Sequence, residues 1–144
     1  MEFLSKSFSE LTTTELYELL KSRMEVFLLE QGIVCLDLDG VDYVSTHFFL
    51  KDGERVIAYL RAYSTESGVL RLGRVLTLIR GKGHGRLLME KTISDIRKNS
   101  SYKKISLHAQ KHAKEFYEKF GFEVTSDDFL EEGVVHVAME LDLN

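Results

Sequence analysis

The chain has 144 residues, 44% of them hydrophobic and 29% charged, with a net charge of -4 and a single cysteine, Cys35. This length and balance indicate one folded domain, residues 1–144, and exclude both a disordered chain and a disulfide-stapled scaffold. The apolar runs are too short to span a bilayer, and the N-terminus lacks the apolar core of a signal peptide. We therefore expect a cytoplasmic protein without a membrane partner, in which Cys35 is a buried thiol.

The first elements are a short edge strand over residues 1–8 and a long helix. Thr12 and Glu15 have the spacing of a capping box, and leucines at helical spacing follow, which predicts a helix from about Thr13 to Leu29. The acidic segment, defined as residues 30–46, comes next and is expected to be irregular, with room for a short second helix. Five acids and no basic residue lie between residues 24 and 50.

From residue 47 the apolar pattern changes to a period of two, which is typical of strands. Strands are predicted for His47–Leu50 and Arg55–Ser64, joined by a tight turn at Asp52-Gly53, and for Val69–Ile79. In the second of these strands the alternation places four side chains on one face: Val56, Ala58, Leu60 and Ala62. The rest of the chain predicts helices Leu87–Arg97 and Ala113–Phe120, strands Lys104–Ala109, Phe122–Thr125 and Val134–Leu141, and an acidic loop over 126–133.

The glycine loop, Arg80-Gly81-Lys82-Gly83-His84-Gly85-Arg86, lies between a predicted strand and a predicted helix. A glycine-rich turn that enters a helix directs free N–H groups and the positive end of the helix dipole at one place, which suits a phosphate. No Ser or Thr follows Lys82, and the spacing of the glycines does not match a dinucleotide fingerprint. The loop predicts an anion site, and a solvated surface turn remains the alternative.

Charge is divided unevenly along the chain. Residues 51–119 carry 16 of the 19 basic residues and 7 of the 23 acids, so this middle part has a local charge of +9 and the flanks together carry -13. Basic residues without an aromatic stacking surface are weak evidence for nucleic-acid binding. We expect the middle to bind a small polyanion and the flanks a cationic substrate; an undivided, solvated surface is the alternative.

The motif R-x-x-G-x-G, formed by Arg80, Gly83 and Gly85, resembles the pyrophosphate-binding motif of the GCN5-related N-acetyltransferase (GNAT) superfamily. The pattern from Gln110 through Tyr117 to Gly121-Phe122 resembles the second signature of that family. A narrower resemblance to the ElaA-like subfamily rests on further pairs and triplets, among them Val26-Phe27, Glu30-Gln31, Asp39-Gly40, Gly73-Arg74-Val75 and Ala109-Gln110. The resemblance implies an α/β GNAT acyl-CoA N-acyltransferase fold, with a mixed central sheet of six or seven strands and about four helices.

The same resemblance implies an N-acetyltransferase that moves an acetyl group from acetyl-CoA to a primary amine by direct attack. It assigns acetyl-CoA to the following residues: Val75, Leu76, Thr77, Arg80, Gly81, Lys82, Gly83, His84, Gly85, Arg86, Gln110 and Tyr117. Tyr117 is the expected general acid, although a tyrosine at this helical spacing is also typical of a core residue. Glu30 is the first candidate base, with His108 and His136 as others, and Glu30 could instead end the first helix.

Asp39, Asp42 and His136 are the expected substrate contacts, because the acidic segment borders the acceptor side in the family fold. We expect no metal, since the histidines are scattered and no metal-ligand spacing occurs. A homodimer is left open. Two other functions remain: a non-catalytic acyl-CoA-binding module, suggested by the lack of an acid between Leu70 and Leu78, and a phosphate- or RNA-binding domain, suggested by the basic middle.

Overall fold

A computed structural model describes all 144 residues, and a mixed eight-stranded sheet forms its centre. The strands are β1 Glu2–Ser7, β2 Thr46–Asp52, β3 Arg55–Glu66, β4 Val69–Thr77, β5 Lys104–Gln110, β6 Glu123–Val124, β7 Phe129–Glu131 and β8 Val134–Asp142. Their order in the sheet is β1-β2-β3-β4-β5-β8-β6, and β7 pairs with β8. Only the contact between β4 and β5 is parallel.

Three α-helices flank this sheet: α1 Thr13–Arg23, α2 His84–Asn99 and α3 Lys114–Glu118. The capping box predicted at the start of α1 is present, since the Glu15 N–H donates to Thr12 Oγ1 and the Thr12 N–H donates to Glu15 Oε1. A π-helical turn, Met24–Glu30, continues α1, so that the helical stretch ends close to the predicted position. Short 3₁₀ turns occupy Phe8–Glu10, Val41–Val44 and Lys111–Ala113.

The predicted fold class is confirmed, with eight strands and three α-helices where six or seven strands and four helices were expected. The strand missing from the prediction is β7, which falls within the expected acidic loop. It is three residues long and pairs with β8 through a turn in which Glu132 and Gly133 both have positive φ. Helix α2 begins three residues earlier than predicted, which places the end of the glycine loop in its first turn.

Helices cover the sheet on both faces. The larger core packs α2 and α3 against one face, and the smaller core packs α1 against the other. The predicted alternation in β3 is wrong at its start: Val56 lies in the smaller core with Tyr59, whereas Ala58, Leu60 and Ala62 lie in the larger one. A bulge explains the error, because the pairing with β2 shifts by one residue here and reverses the faces of the preceding side chains.

Strands β4 and β5 are hydrogen-bonded along only half of their length. Their parallel pairing runs from Val69↔Lys104 to Leu72↔Leu107 and stops there. Beyond this point β4 continues to Thr77 on β3, while β5 continues to Gln110 on β8. The two strands therefore diverge and leave an opening within the sheet. This opening, between residues 73–77 of β4 and residues 108–110 of β5, is called the cleft below.

Candidate active site at the cleft between β4 and β5

The glycine loop leads from the cleft end of β4 into α2. Gly81 and Gly83 both have φ +75°, and a Cβ built at either position would meet no heavy atom within 4 Å. Gly83 is the N-cap of α2, and no side chain caps the helix, so its first N–H groups lack side-chain acceptors. The open space and the free donors fit a phosphate group at this helix start.

Gly85 has a different role from the two other glycines of the loop. Its φ is not positive, but a Cβ there would lie 3.2 Å from Thr77 Cγ2 and 3.5 Å from Phe116 Cζ. A larger residue would push α2 away from the end of β4 and from α3. Gly85 therefore brings the helix start close to the cleft, whereas Gly81 and Gly83 provide the left-handed backbone of the loop.

The cations of the loop differ in their partners. Arg80 Nη2 donates to Glu30 Oε1 at 2.5 Å, and Arg86 Nε donates to Glu90 Oε1 at 2.8 Å, both on the protein surface. Lys82 makes no ion pair. His84 Nδ1 is buried without a hydrogen-bond partner, so this ring nitrogen is an unpaired polar atom at the predicted anion site.

Tyr117 lies on α3, within the larger core and 8% exposed. Its ring packs edge-on against Phe116 and Phe122, with centroids 5.1 and 6.0 Å away. Burial raises the pKa of the Tyr117 phenol above its ordinary value. A Cβ built at Gly85 would lie 3.5 Å from the ring of Phe116, the sequence neighbour of Tyr117, so this part of α3 packs beside the end of the glycine loop.

A hydrogen bond joins the acidic segment to the end of β5. Gln110 Nε2 donates to Gln31 Oε1 at 3.0 Å across 79 residues of sequence. Gln31 follows the π-helical turn, and such turns often occur at functional sites. In the sequence, Gln31 stands out only as part of the pair Glu30-Gln31, which predicts no role for it.

His136 is 7% exposed and pairs with Gln110 in the β5–β8 register, which places it beside the cleft. Its Nδ1 lies 2.7 Å from the Val134 carbonyl oxygen. His108 Nδ1 contacts Glu131 Oε1 at 2.8 Å, and His136 Nε2 is 3.7 Å from the other oxygen of the same carboxylate. Both histidines are thus held by β7, the strand that was not predicted.

Asp39 and Asp42, expected to bind a cationic substrate, instead pair with arginines. Asp42 is 7% exposed, and its Oδ1 accepts from Arg23 Nη1 at 2.7 Å and from Arg61 Nη1 at 3.2 Å. Asp39 accepts two hydrogen bonds from Arg61, at 2.7 and 2.8 Å. The acidic segment contains no basic residue of its own, but this does not leave its acids unpaired, because the arginines come from α1, β3 and β4.

These pairs keep the carboxylates charged. Hydrogen bonds from Arg61 hold the pKa of Asp39 well below its usual range, against the opposing effect of burial. Burial raises the pKa of Asp42, but the hydrogen bonds and charges of Arg23 and Arg61 outweigh it and lower the pKa. Because the arginines neutralise these acids, the negative charge that was expected to attract a cationic substrate is already balanced within the chain.

Other side chains of the acidic segment point outward. Cys35 is exposed, which corrects the expectation of a buried thiol. Val34, Leu36 and Leu38 are exposed as well. In the whole chain, no group of three or more His, Cys, Asp or Glu side chains is arranged to hold a metal ion. None of the helices combines the length and the apolar character needed to cross a bilayer.

Comparison with known proteins gives consistent results. The family model described as "Acetyltransferase (GNAT) domain" matches residues 41–143. A UPF0039 protein of Schizosaccharomyces pombe is 33% identical over 99% of this chain and 98% of its own length. The crystal structure of Escherichia coli ElaA is similar to this one with a TM-score of 0.89 and 31% identity, over 96% of this chain and 97% of that one.

A further solved structure, an acyl-CoA N-acyltransferase from Pseudomonas aeruginosa, has a TM-score of 0.90 and 30% identity. The similarity covers 97% of this chain and 99% of that one. The similarity therefore extends over nearly the whole chain, including the residues of the cleft and of the glycine loop.

Proposed function

Because the chain belongs to the GNAT acetyltransferase family, we propose that it transfers the acetyl group of acetyl-CoA to a primary amine of a small molecule or peptide. The observation that carries this proposal is the cleft: β4 and β5 separate beside a glycine loop that opens a helix. A long thioester with a pyrophosphate at one end fits such a site, since the loop supplies anion-binding donors and the diverging strands leave room for the acyl arm.

For the cofactor side we propose contacts from three parts of the chain. The first N–H groups of α2 and the cations Arg80, Lys82 and Arg86 bind the pyrophosphate. Gln110 contacts the pantetheine arm. The β4 backbone at Val75, Leu76 and Thr77 borders the cleft, and those of its N–H groups that point away from β3 polarise the acyl carbonyl. The remaining loop residues, Gly81, Gly83, His84 and Gly85, shape the site.

Tyr117 is the proposed general acid. In the reaction the amine nitrogen forms a bond to the acyl carbon, the carbon–sulfur bond breaks, and the departing sulfur takes a proton from the Tyr117 hydroxyl. Since burial raises the pKa of this phenol, Tyr117 keeps its proton throughout the physiological pH range. A buried, protonated hydroxyl is the form that a proton donor needs.

Glu30 remains the proposed base that accepts the proton of the attacking amine. It is 44% exposed in its side chain and pairs with Arg80, which is itself a proposed pyrophosphate contact. A pyrophosphate would compete with Glu30 for the Arg80 guanidinium, and the carboxylate would then be free to accept a proton. The acceptor amine is proposed to lie beside His136, on the face of the sheet that carries Gln110.

The function is tested by measuring thiol release from acetyl-CoA over a panel of amines, polyamines and peptides. We expect release that depends on one class of primary amine, and an acetylated product of the corresponding mass. Hydrolysis without an acetylated amine would contradict the proposal. Since the Cys35 thiol is exposed to any reagent that detects free thiols, the Cys35→Ser variant gives a cleaner baseline for this assay.

A non-catalytic acyl-CoA-binding module is the second candidate. It is favoured by one observation: no acid lies on β4 from Leu70 to Thr77, and Glu30 is already paired. Binding of CoA without turnover of any amine would support this candidate over the first. A rise in melting temperature with RNA but not with CoA would contradict both and favour the phosphate- or RNA-binding alternative.

A further inference from the structure

Three arginines and three aspartates form a closed ring of alternating charges on the α1 face of the sheet. Each arginine binds two aspartates and each aspartate binds two arginines, through N–O distances of 2.7 to 3.4 Å. Around the ring the order is Arg23, Asp42, Arg61, Asp39, Arg74 and Asp37. This set of six is called the Arg–Asp ring.

The Arg–Asp ring connects elements that are far apart in sequence. Arg23 ends α1 and is fully buried, Arg61 lies on β3, and Arg74 lies on β4. All three aspartates come from the acidic segment. Because this segment is also bound to β5 through Gln31, it crosses the cleft and is held at both sides.

Arg74 has an unusual backbone. Its φ is +55°, in the left-handed region that residues other than glycine rarely adopt. The cause is a bulge in β4: the register with β3 passes from Arg61↔Gly73 to Tyr59↔Leu76, so that Leu60 faces two residues of β4. The two bulged residues, Arg74 and Val75, begin two residues after Leu72, which is the last residue of β4 paired with β5, so the bulge lies where the cleft opens.

A strained backbone persists only where its surroundings keep it in place. Here the hydrogen bonds of the Arg74 side chain keep it there. Its Nε donates to Asp37 Oδ1 at 2.9 Å, and its Nη2 donates to the Asp37 carbonyl oxygen at 3.1 Å and to Asp39 at 3.4 Å. The buried Arg23 binds Asp37 in turn: its Nε donates to Asp37 Oδ2 and its Nη2 donates to the Asp37 carbonyl oxygen, each at 3.0 Å.

We propose that the Arg–Asp ring positions the acyl site: it fixes Arg74 in the left-handed conformation and thereby sets the backbone of Val75 and Leu76 along the cleft. Arg74, Asp37 and Arg23 are positioning residues, since they act through the β4 backbone. Buried ion pairs stabilise a fold weakly relative to apolar packing, and their best-attested role is to select one geometry. The inference rests on the proposed function, because its main readout is acyl transfer.

The test compares Arg74→Lys with Arg71→Lys. Lysine keeps the charge but cannot reach both Asp37 and Asp39 with a planar fork. Arg71 lies on the same strand outside the ring, where it donates to Ser106 Oγ at 3.2 Å, and so it controls for the chemical change. For Arg74→Lys we expect kcat to fall roughly 10- to 100-fold, as for a small misplacement of reacting groups. The KM for acetyl-CoA should stay within about threefold, and Arg71→Lys should behave like the original chain.

A second readout does not need turnover. Hydrogen exchange of the amides of residues 74–77 should become faster in Arg74→Lys and stay unchanged in Arg71→Lys. If the original chain transfers no acetyl group, the proposed function fails while this exchange measurement still tests the positioning role. Arg74→Gly provides a variant whose backbone adopts a positive φ without strain. It should fold, and it should also lose kcat, because glycine releases the segment from the ring.

Unchanged kcat and unchanged amide exchange in Arg74→Lys would overturn the proposal. The assays are run well below the melting temperature of each variant. If kcat of Arg74→Lys is normal under these conditions and falls only as the variant begins to unfold, the proposal is also overturned. A similar defect in Asp37→Asn, with an unaffected Asp52→Asn control in the β2–β3 turn, would support the ring as the common cause.

Discussion

Replacing Gly83 by valine separates the anion site from the stability of the fold. Gly83 has φ +75°, and a Cβ there would meet no heavy atom within 4 Å. Gly53, in the turn between β2 and β3, has φ +62° and equally open surroundings. Gly53→Val therefore imposes a similar backbone strain in a turn outside the glycine loop, and it serves as the matched control.

The size of each effect follows from this geometry. A left-handed conformation costs a residue with a side chain about 1–2 kcal/mol, with more expected for a β-branched one. In a domain of this size, that cost lowers the melting temperature by roughly 2–8 °C, in both variants alike. Only Gly83→Val places a branched side chain beside the free N–H groups of α2. One lost hydrogen bond to a phosphate is worth about 1.5–3 kcal/mol, or roughly 10- to 100-fold in the Kd for CoA.

The assay is calorimetric titration of CoA into both folded variants, together with their melting curves. We expect matched decreases in melting temperature and weaker CoA binding in Gly83→Val alone. An unchanged Kd in folded Gly83→Val would refute the assignment of the glycine loop. Equal weakening in both variants would show that strain, and not the blocked phosphate site, lowers the affinity.

Three further predictions concern the acid, the Arg–Asp ring and the acceptor. Tyr117→Phe keeps the buried ring, and it should lower kcat roughly 10²–10⁴-fold with little change in the Kd for CoA. In the original chain, ionisation of Tyr117 should cause no decline of kcat below about pH 10. Asp39 and Asp42 have lowered pKa values in the folded state, so their charged forms stabilise the fold above about pH 4, and this contribution is lost as the pH falls further. The melting temperature of Asp39→Asn should therefore fall less between neutral and acidic pH than that of the original chain. Because the ring neutralises these acids, the KM for a cationic amine should change little between about 50 and about 500 mM salt, and a steep rise would contradict their neutralisation.

The helices and strands with strong local signals were predictable. The capping box at Thr12 fixed the start of α1, and the Asp52-Gly53 turn located the β2–β3 hairpin, because both depend on residues close in sequence. The two motifs of the resemblance also correspond to definite places in the fold, the entry to α2 and the short helix α3, while the roles of their residues stay predictions. In contrast, β7 has only three residues between acidic stretches, too few for a period to be recognised.

The interactions across the fold were not predictable. Nothing in the local sequence indicates that Asp42 meets Arg23 and Arg61, because pairing over 19 residues depends on how α1 packs on the sheet. The bulges that reverse Val56 and strain Arg74 are also set by the neighbouring strand. Only the triplet Gly73-Arg74-Val75 singled out this part of β4 in the sequence, and it gave no indication of the left-handed backbone.

The exposed thiol of Cys35 makes this chain suited to site-specific labelling. It is the only cysteine in the sequence and lies between Gln31, bound at the end of β5, and Asp37, bound to the β4 bulge. A maleimide fluorophore would attach at this one position without any substitution elsewhere. Its emission would report on the surroundings of the cleft, so binding of CoA or of an amine could be followed in the absence of a chemical reaction.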